Sequence, residues 1–156
     1  MSKKIIISPW SRALRNEKEN PKNYPVAKWE KLVQLLKEKE YHIIQIGLTG
    51  EMELQGVDEL VFNKSLKELV SLLKECYTFV CVDNFFQHLA YVNNKPGFVI
   101  FGKSDPNIFG HKENVNILKD RKYLKALQFD IWERTEYSND CFVEPEIIME
   151  RISKGA

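Results

Sequence analysis

Short, unbroken apolar runs constrain this chain more than any other feature. They are Ile5-Ile6-Ile7, His42 to Ile46, Phe79 to Val82 and Phe98 to Phe101. A strand with one face in water alternates apolar and polar side chains, whereas a strand covered on both faces does not. The runs therefore predict parallel strands buried between two layers of helices. The intervening segments carry the matching periodicity. Val26, Trp29, Leu32, Val33 and Leu36 fall on one helical stripe, with Pro25 at the first helical position. Ser65 and Glu68 have the spacing of a capping box ahead of Leu66, Leu69, Val70 and Leu73. Asn84 and Gln87 are placed to cap a third helix bearing Leu89, Ala90 and Val92. Pro145 opens a last helix through Ile148 and Ile152, with acids in its first turn and Lys154-Gly155 at its end.

Strands joined by helices require right-handed crossovers. The predicted fold is α/β, a Rossmann-like three-layer α/β/α sandwich with a mostly parallel sheet, spanning residues 1–156 as one domain. The stretch from Asn107 to Asp140 is ambiguous. Val115 to Leu118 reads as a strand, and Leu124, Leu127 and Ile131 have helical spacing.

A chain of 156 residues builds one core without disulfides. Its 23 lysines and arginines against 22 acids leave a formal charge of +1, which argues against a broad nucleic-acid surface. Cys76, Cys81 and Cys141 form no framework and point to a reducing compartment. Only Ile5-Ile6-Ile7 follows the basic start, too short for a signal peptide or a membrane span. A soluble cytoplasmic protein is expected. No P-loop, dinucleotide fingerprint or Gly-x-Ser-x-Gly elbow occurs, and His42, His88 and His111 lack metal-ligand spacing.

In such sheets ligands bind beyond the carboxyl ends of the strands. Those ends read Ser8-Pro9-Trp10-Ser11-Arg12, Gly47-Leu48-Thr49-Gly50-Glu51, Asp83-Asn84-Phe85-Phe86-Gln87-His88 and Gly102-Lys103-Ser104-Asp105-Pro106. The third leads straight into a helix start, where unpaired N–H groups and the dipole favour an anion such as a diphosphate. Asp83 is either part of that site or only its helix cap. His88 either donates to a phosphate or braces the loop. Glu51 either binds ribose hydroxyls or is a solvated loop acid. Lys22, Arg12 and Arg15 are the nearby cations, either phosphate partners or ordinary surface charges.

Taken in order, these motifs resemble the C-terminal, donor-binding half of glycosyltransferase family 9, the heptosyltransferase-like enzymes. The resemblance rests on Asp83-Asn84-Phe85-Phe86-Gln87-His88-Leu89-Ala90, Lys95-Pro96 and Phe101-Gly102-Lys103-Ser104-Asp105-Pro106. Lys22-Asn23-Tyr24-Pro25 with Trp29, Gly47 to Glu51, and Cys141 to Ile152 extend it over nearly the whole chain. It implies a two-domain GT-B type architecture and a nucleotide-sugar donor with no obligatory metal. Lys22 would reach the phosphates and Glu51 the ribose. Asp83 and the N–H groups of Asn84 to Gln87 would meet the diphosphate and sugar, beside His88. Ser104 stands for the threonine of the later loop. Asn84-Phe85 stands where the family has Ser/Thr-Gly, and a phenylalanine there crowds a phosphate's approach.

A complete enzyme of this kind has a second, acceptor-binding domain that holds the general base. The resemblance thus predicts the nucleotide-sugar-binding half of a hexosyl or heptosyl transferase. It would act with a separate acceptor-binding domain or chain, or with a second copy of itself, and its own catalytic residues are unassigned. The alternative is a non-catalytic nucleotide-binding or sequestering module.

Overall fold

The structure, a computed structural model, describes residues 2–155. Six strands form one all-parallel sheet: β1 (Lys4–Ser8), β2 (His42–Gly47), β3 (Glu59–Phe62), β4 (Thr78–Val82), β5 (Phe98–Phe101) and β6 (Val115–Leu118). Their order is β3-β2-β1-β4-β5-β6. The direction of winding reverses between β1 and β4, which pair from Ile5↔Thr78 to Ser8↔Cys81.

The two-sided burial read from the apolar runs is present. Successive side chains of a strand point to opposite faces. Ile5, Ile7, Ile43, Val80, Val82, Phe98 and Ile100 pack on one face. That face is covered by α1 (Val26–Glu38) and α5 (Pro145–Lys154), which contribute Trp29, Leu32, Leu36, Ile148 and Ile152. Ile6, Ile44, Ile46, Phe79, Cys81, Val99 and Phe101 pack on the other. There α2 (Leu66–Glu75) and α3 (Phe85–Val92) supply Leu69, Leu73, Phe86 and Ala90. The three cysteines are buried and free. Among the described residues no helix is long and apolar enough to cross a membrane.

The Ser65–Glu68 capping box forms with both reciprocal bonds, and Pro145 begins α5 as expected. Several local expectations are corrected. Pro25 is the N-cap of α1 rather than its first residue, with an extended ψ of 139°. Asn84 caps α3 by accepting from Phe86 N, but Gln87 does not return the bond, because its amide is committed to Asp83. The buried face of α3 is Phe86, Gln87 and Ala90, while Val92 is 74% exposed. β3 carries the short apolar run Leu60-Val61-Phe62, which the reading of the sequence left unassigned. It is the edge strand, and Glu59 and Leu60 lie in solvent.

Val115 to Leu118 is the strand β6, but Leu124, Leu127 and Ile131 form no helix. Beyond α4 (Pro106–Phe109) and β6, the chain runs through two single 3-10 turns, Arg121–Tyr123 and Trp132–Arg134. Leu127 and Ile131 are exposed. Side chains hold this stretch. Gln128 accepts from Asp105 N and donates to the carbonyls of Lys103 and Lys125.

Candidate functional site

A cleft of about 560 Å³ opens at the carboxyl ends of β1, β2 and β4, where the winding reverses. This is the place at which a doubly wound sheet leaves room for a ligand. Arg12, Lys22, Glu51, Asp83, Asn84, Phe85 and His88 all line it. Gln87 and Ser104 do not. Gln87 is fully buried beneath Asp83, and Ser104 is enclosed in the β5–α4 loop.

Asp83 is the hinge of the site. It is 5% exposed. Its Oδ1 accepts from Gln87 Nε2 at 2.7 Å, and its Oδ2 has no hydrogen-bond partner. The nearest cation is Lys22, with Nζ 3.5 Å from Oδ2. The loop that delivers Lys22 is tightly held. Asn20 Oδ1 accepts from Lys22 N, and Asn23 Oδ1 accepts from Ser11 N at 2.7 Å. Ser11 Oγ in turn donates to the Asp83 carbonyl at 2.9 Å. Tyr24 is buried edge-on between Trp29 and Phe142 and donates its hydroxyl to the Val143 carbonyl. The closing segment thereby anchors the lysine loop.

Asn84 ties the two sides of the switch point together. Its Nδ2 donates to Ser8 O at 3.2 Å, Ser8 Oγ at 3.0 Å and Trp10 O at 3.2 Å, while Oδ1 caps α3. Phe85 projects beside it, about half exposed, edge-on to Phe86.

Glu51 folds back on its own loop, where its Oε1 accepts from Leu48 N at 2.8 Å. The fold-back requires Gly47, because a Cβ there would stand 2.9 Å from Glu51 Oε1. Gln45, which the sequence reading overlooked, supports the loop from below. It is fully buried in β2, donates to Met52 O at 2.8 Å and accepts from Leu54 N at 2.7 Å. A buried amide inside an apolar strand run was the available signal. Gln45→Leu is expected to cost about 1–3 kcal/mol, since it strands the buried Leu54 N–H, while the Met52 carbonyl keeps Trp10 Nε1 as a donor. Denaturant unfolding measures that loss.

Trp132 was also missed, because it lies in the unreadable stretch. It lines the cleft with its ring 5.2 Å from Lys22 Nζ and 3.9 Å from Lys125 Nζ. The β5–α4 loop has a structural task. Asp105 caps α4 and forms a two-pronged pair with Arg121 at 2.9 and 2.7 Å. The guanidinium holds its carboxyl below the usual carboxylate range.

The sheet order and the cleft at its switch point define an α/β protein of the doubly wound class. Residues 2–130 match glycosyltransferase family 9 (heptosyltransferase), and the chain belongs to that family. Solved structures show the same fold. The E. coli heptosyltransferase WaaC with ADP shares 17% identity over 99% of this chain and 45% of that one, with a TM-score of 0.69. The E. coli ADP-heptose LPS heptosyltransferase II shares 16% over 98% and 46%, with a TM-score of 0.71. A family 9 glycosyltransferase from Veillonella parvula shares 12% over 98% and 45%, with a TM-score of 0.73. At these identities the likeness is one of fold. The chain spans less than half the length of these structures. No curated protein matches it.

Proposed function

We propose that this chain is the nucleotide-sugar-binding half of a glycosyltransferase, acting with an acceptor-binding domain or a partner chain. The observation that carries the reading is the pairing of Lys22 with the orphaned Oδ2 of Asp83 in the switch-point cleft. A buried carboxylate oxygen without a donor is an acceptor in waiting, and sugar hydroxyls are donors of the right kind. Lys22 and the first-turn N–H groups of α3 supply the positive field a diphosphate needs. Glu51 keeps Oε2 for ribose hydroxyls.

In the transfer, the acceptor hydroxyl attacks the anomeric carbon. The bond from that carbon to the diphosphate oxygen breaks, and the nucleoside diphosphate leaves with the electron pair. Lys22 and the α3 terminus stabilise the charge that develops there. The hydroxyl proton passes to a general base on the acceptor-binding half. Calorimetric titration of the folded chain with ADP, UDP and their sugars tests the reading. A well-folded chain that binds none of them would sink it.

Phe85 and the Asn84 bridge favour a second reading, a module that binds a nucleotide without transferring sugar. The two occupy ground where a phosphate approaches the backbone closely. Phe85→Gly is expected to raise ADP affinity about tenfold, the worth of one restored hydrogen bond. The change costs about 1 kcal/mol in helix propensity. Unchanged affinity would show that the ring does not crowd the ligand. Mass spectrometry of nucleotide carried through purification separates the two readings. A nucleotide sugar favours transfer, and a non-sugar nucleotide favours sequestration.

A further inference from the structure

His88 and His111 form a pair that the fold does not require. His88 Nδ1 and His111 Nε2 are 2.8 Å apart, with the rings edge to face at 5.0 Å. His111 lies flat on Tyr91, with centroids 3.9 Å apart and planes 7° from parallel. Its carbonyl accepts from Asn116 Nδ2 at 2.9 Å. His111 is thus fixed in place, whereas His88 is exposed and lines the cleft. Their bond engages Nδ1 of His88. It leaves Nε2 as the ring nitrogen without a protein partner among the described residues.

Two facing ring nitrogens have room for one hydrogen. In the neutral pair one ring donates and the other accepts. One added proton makes an imidazolium and keeps the bond, now charge-assisted. A second would put hydrogens on both facing nitrogens and break it. The pair therefore stores one proton and no more.

The groups around His88 oppose that proton in the empty cleft. Partial burial acts first, then His111, and Lys22 from the β1–α1 loop adds to them. Asp83 at the end of β4 works the other way. The balance holds His88 below the ordinary histidine range. Arg12 and Lys64 add further cations to the cleft, and Glu51 adds one acid. A diphosphate would reverse the balance by bringing negative charge next to Lys22 and His88.

We infer that a diphosphate entering the cleft draws one proton from solvent onto the His88–His111 pair. His111 is then the positioning residue that holds Nε2–H of the charged ring toward the ligand. The step adds one N–H bond and breaks no other. It rests on the nucleotide reading above. The sign follows from linkage. The bound pair has the raised pKa, so affinity is full at low pH and falls as pH rises through that value. The fall is about tenfold per pH unit for one proton.

The test is calorimetry of the full chain with ADP near neutral pH, in two buffers of different ionisation heat. The terminal phosphate of ADP titrates as well, so the readout is the difference between wild type and His111→Phe. The phenylalanine retains the stack on Tyr91, and circular dichroism confirms folding. A second variant, His111→Gln, keeps a polar side chain if phenylalanine disturbs the fold. Wild type is expected to take up close to one proton more than either variant, and to show the steeper pH dependence of affinity. Equal uptake in wild type and variants overturns the inference while leaving ADP binding intact. Failure to bind ADP or inorganic pyrophosphate overturns both this inference and the nucleotide reading.

Discussion

Lys22→Met is expected to destabilise the chain by about 2–3 kcal/mol and to weaken ADP binding by about 10–100-fold. The stability term comes from Asp83, not from the lysine. Its side chain is only 6% exposed, Oδ2 lacks any hydrogen bond, and the Lys22 Nζ 3.5 Å away is its charge partner. Removing the cation leaves a buried anion with one amide donor, Gln87. The affinity term comes from the loss of a charge-assisted contact to phosphate.

The two effects separate in a double mutant. Asp83→Asn added to Lys22→Met removes the stranded charge, since a neutral amide still accepts from Gln87 and needs no cation. Stability should return to within about 1 kcal/mol of wild type, with coupling between the sites of about 1–2 kcal/mol. ADP affinity should stay low. Urea unfolding and calorimetric titration on the four proteins complete the cycle. Undiminished ADP binding by Lys22→Met would remove Lys22 from the site.

What was legible in the sequence and what was not divide along physical lines. Strands buried on both faces leave a continuous apolar signature, so β1, β2, β4 and β5 could be read directly. A capping box is a local bond pair four residues long, and Ser65 with Glu68 formed as spaced. The edge strand β3 is only four residues long and partly exposed along its length, so its run Leu60-Val61-Phe62 was too short to be read as a strand. Residues 119–140 make few regular backbone bonds. Lys103, Lys119, Lys125 and Gln128 donate to carbonyls instead, and no periodicity records such bonds. Trp132 and Lys125, whose Nζ stands over its ring, were invisible for that reason.

The site divides in the same way. Residues at strand ends were placed at the cleft by topology alone, which brought Lys22, Glu51, Asp83 and His88 together. Topology does not say which way a side chain turns. Gln87 turned inward to hold Asp83, and Ser104 was enclosed by its loop. Gln45 points into the polar end of an apolar strand, where only the loop above it explains an amide.

Asn84 gives the other large expected effect, and three substitutions there distinguish its two tasks. As a cap it satisfies Phe86 N, which is worth about 1 kcal/mol. As a bridge it donates to Ser8 O, Ser8 Oγ and Trp10 O, and so joins the end of β1 to the start of α3. Asn84→Ala loses both and is expected to cost about 2–4 kcal/mol. Asn84→Ser restores the family's smaller residue and keeps the cap, but it is too short to cross. It should cost about 1–2 kcal/mol.

Asn84→Asp is the decisive case. Aspartate caps a helix as well as asparagine does. Here, however, it would turn a carboxylate toward two carbonyl oxygens and set a second acid next to Asp83. It should therefore be less stable than Asn84→Ser, and its ADP affinity should fall by at least tenfold through repulsion of the diphosphate. Thermal unfolding ranks the three variants, and titration ranks their affinities. If Asn84→Asp proves as stable as wild type, capping is the residue's whole task. The departure from Ser/Thr at this position would then owe nothing to the bridge across the switch point.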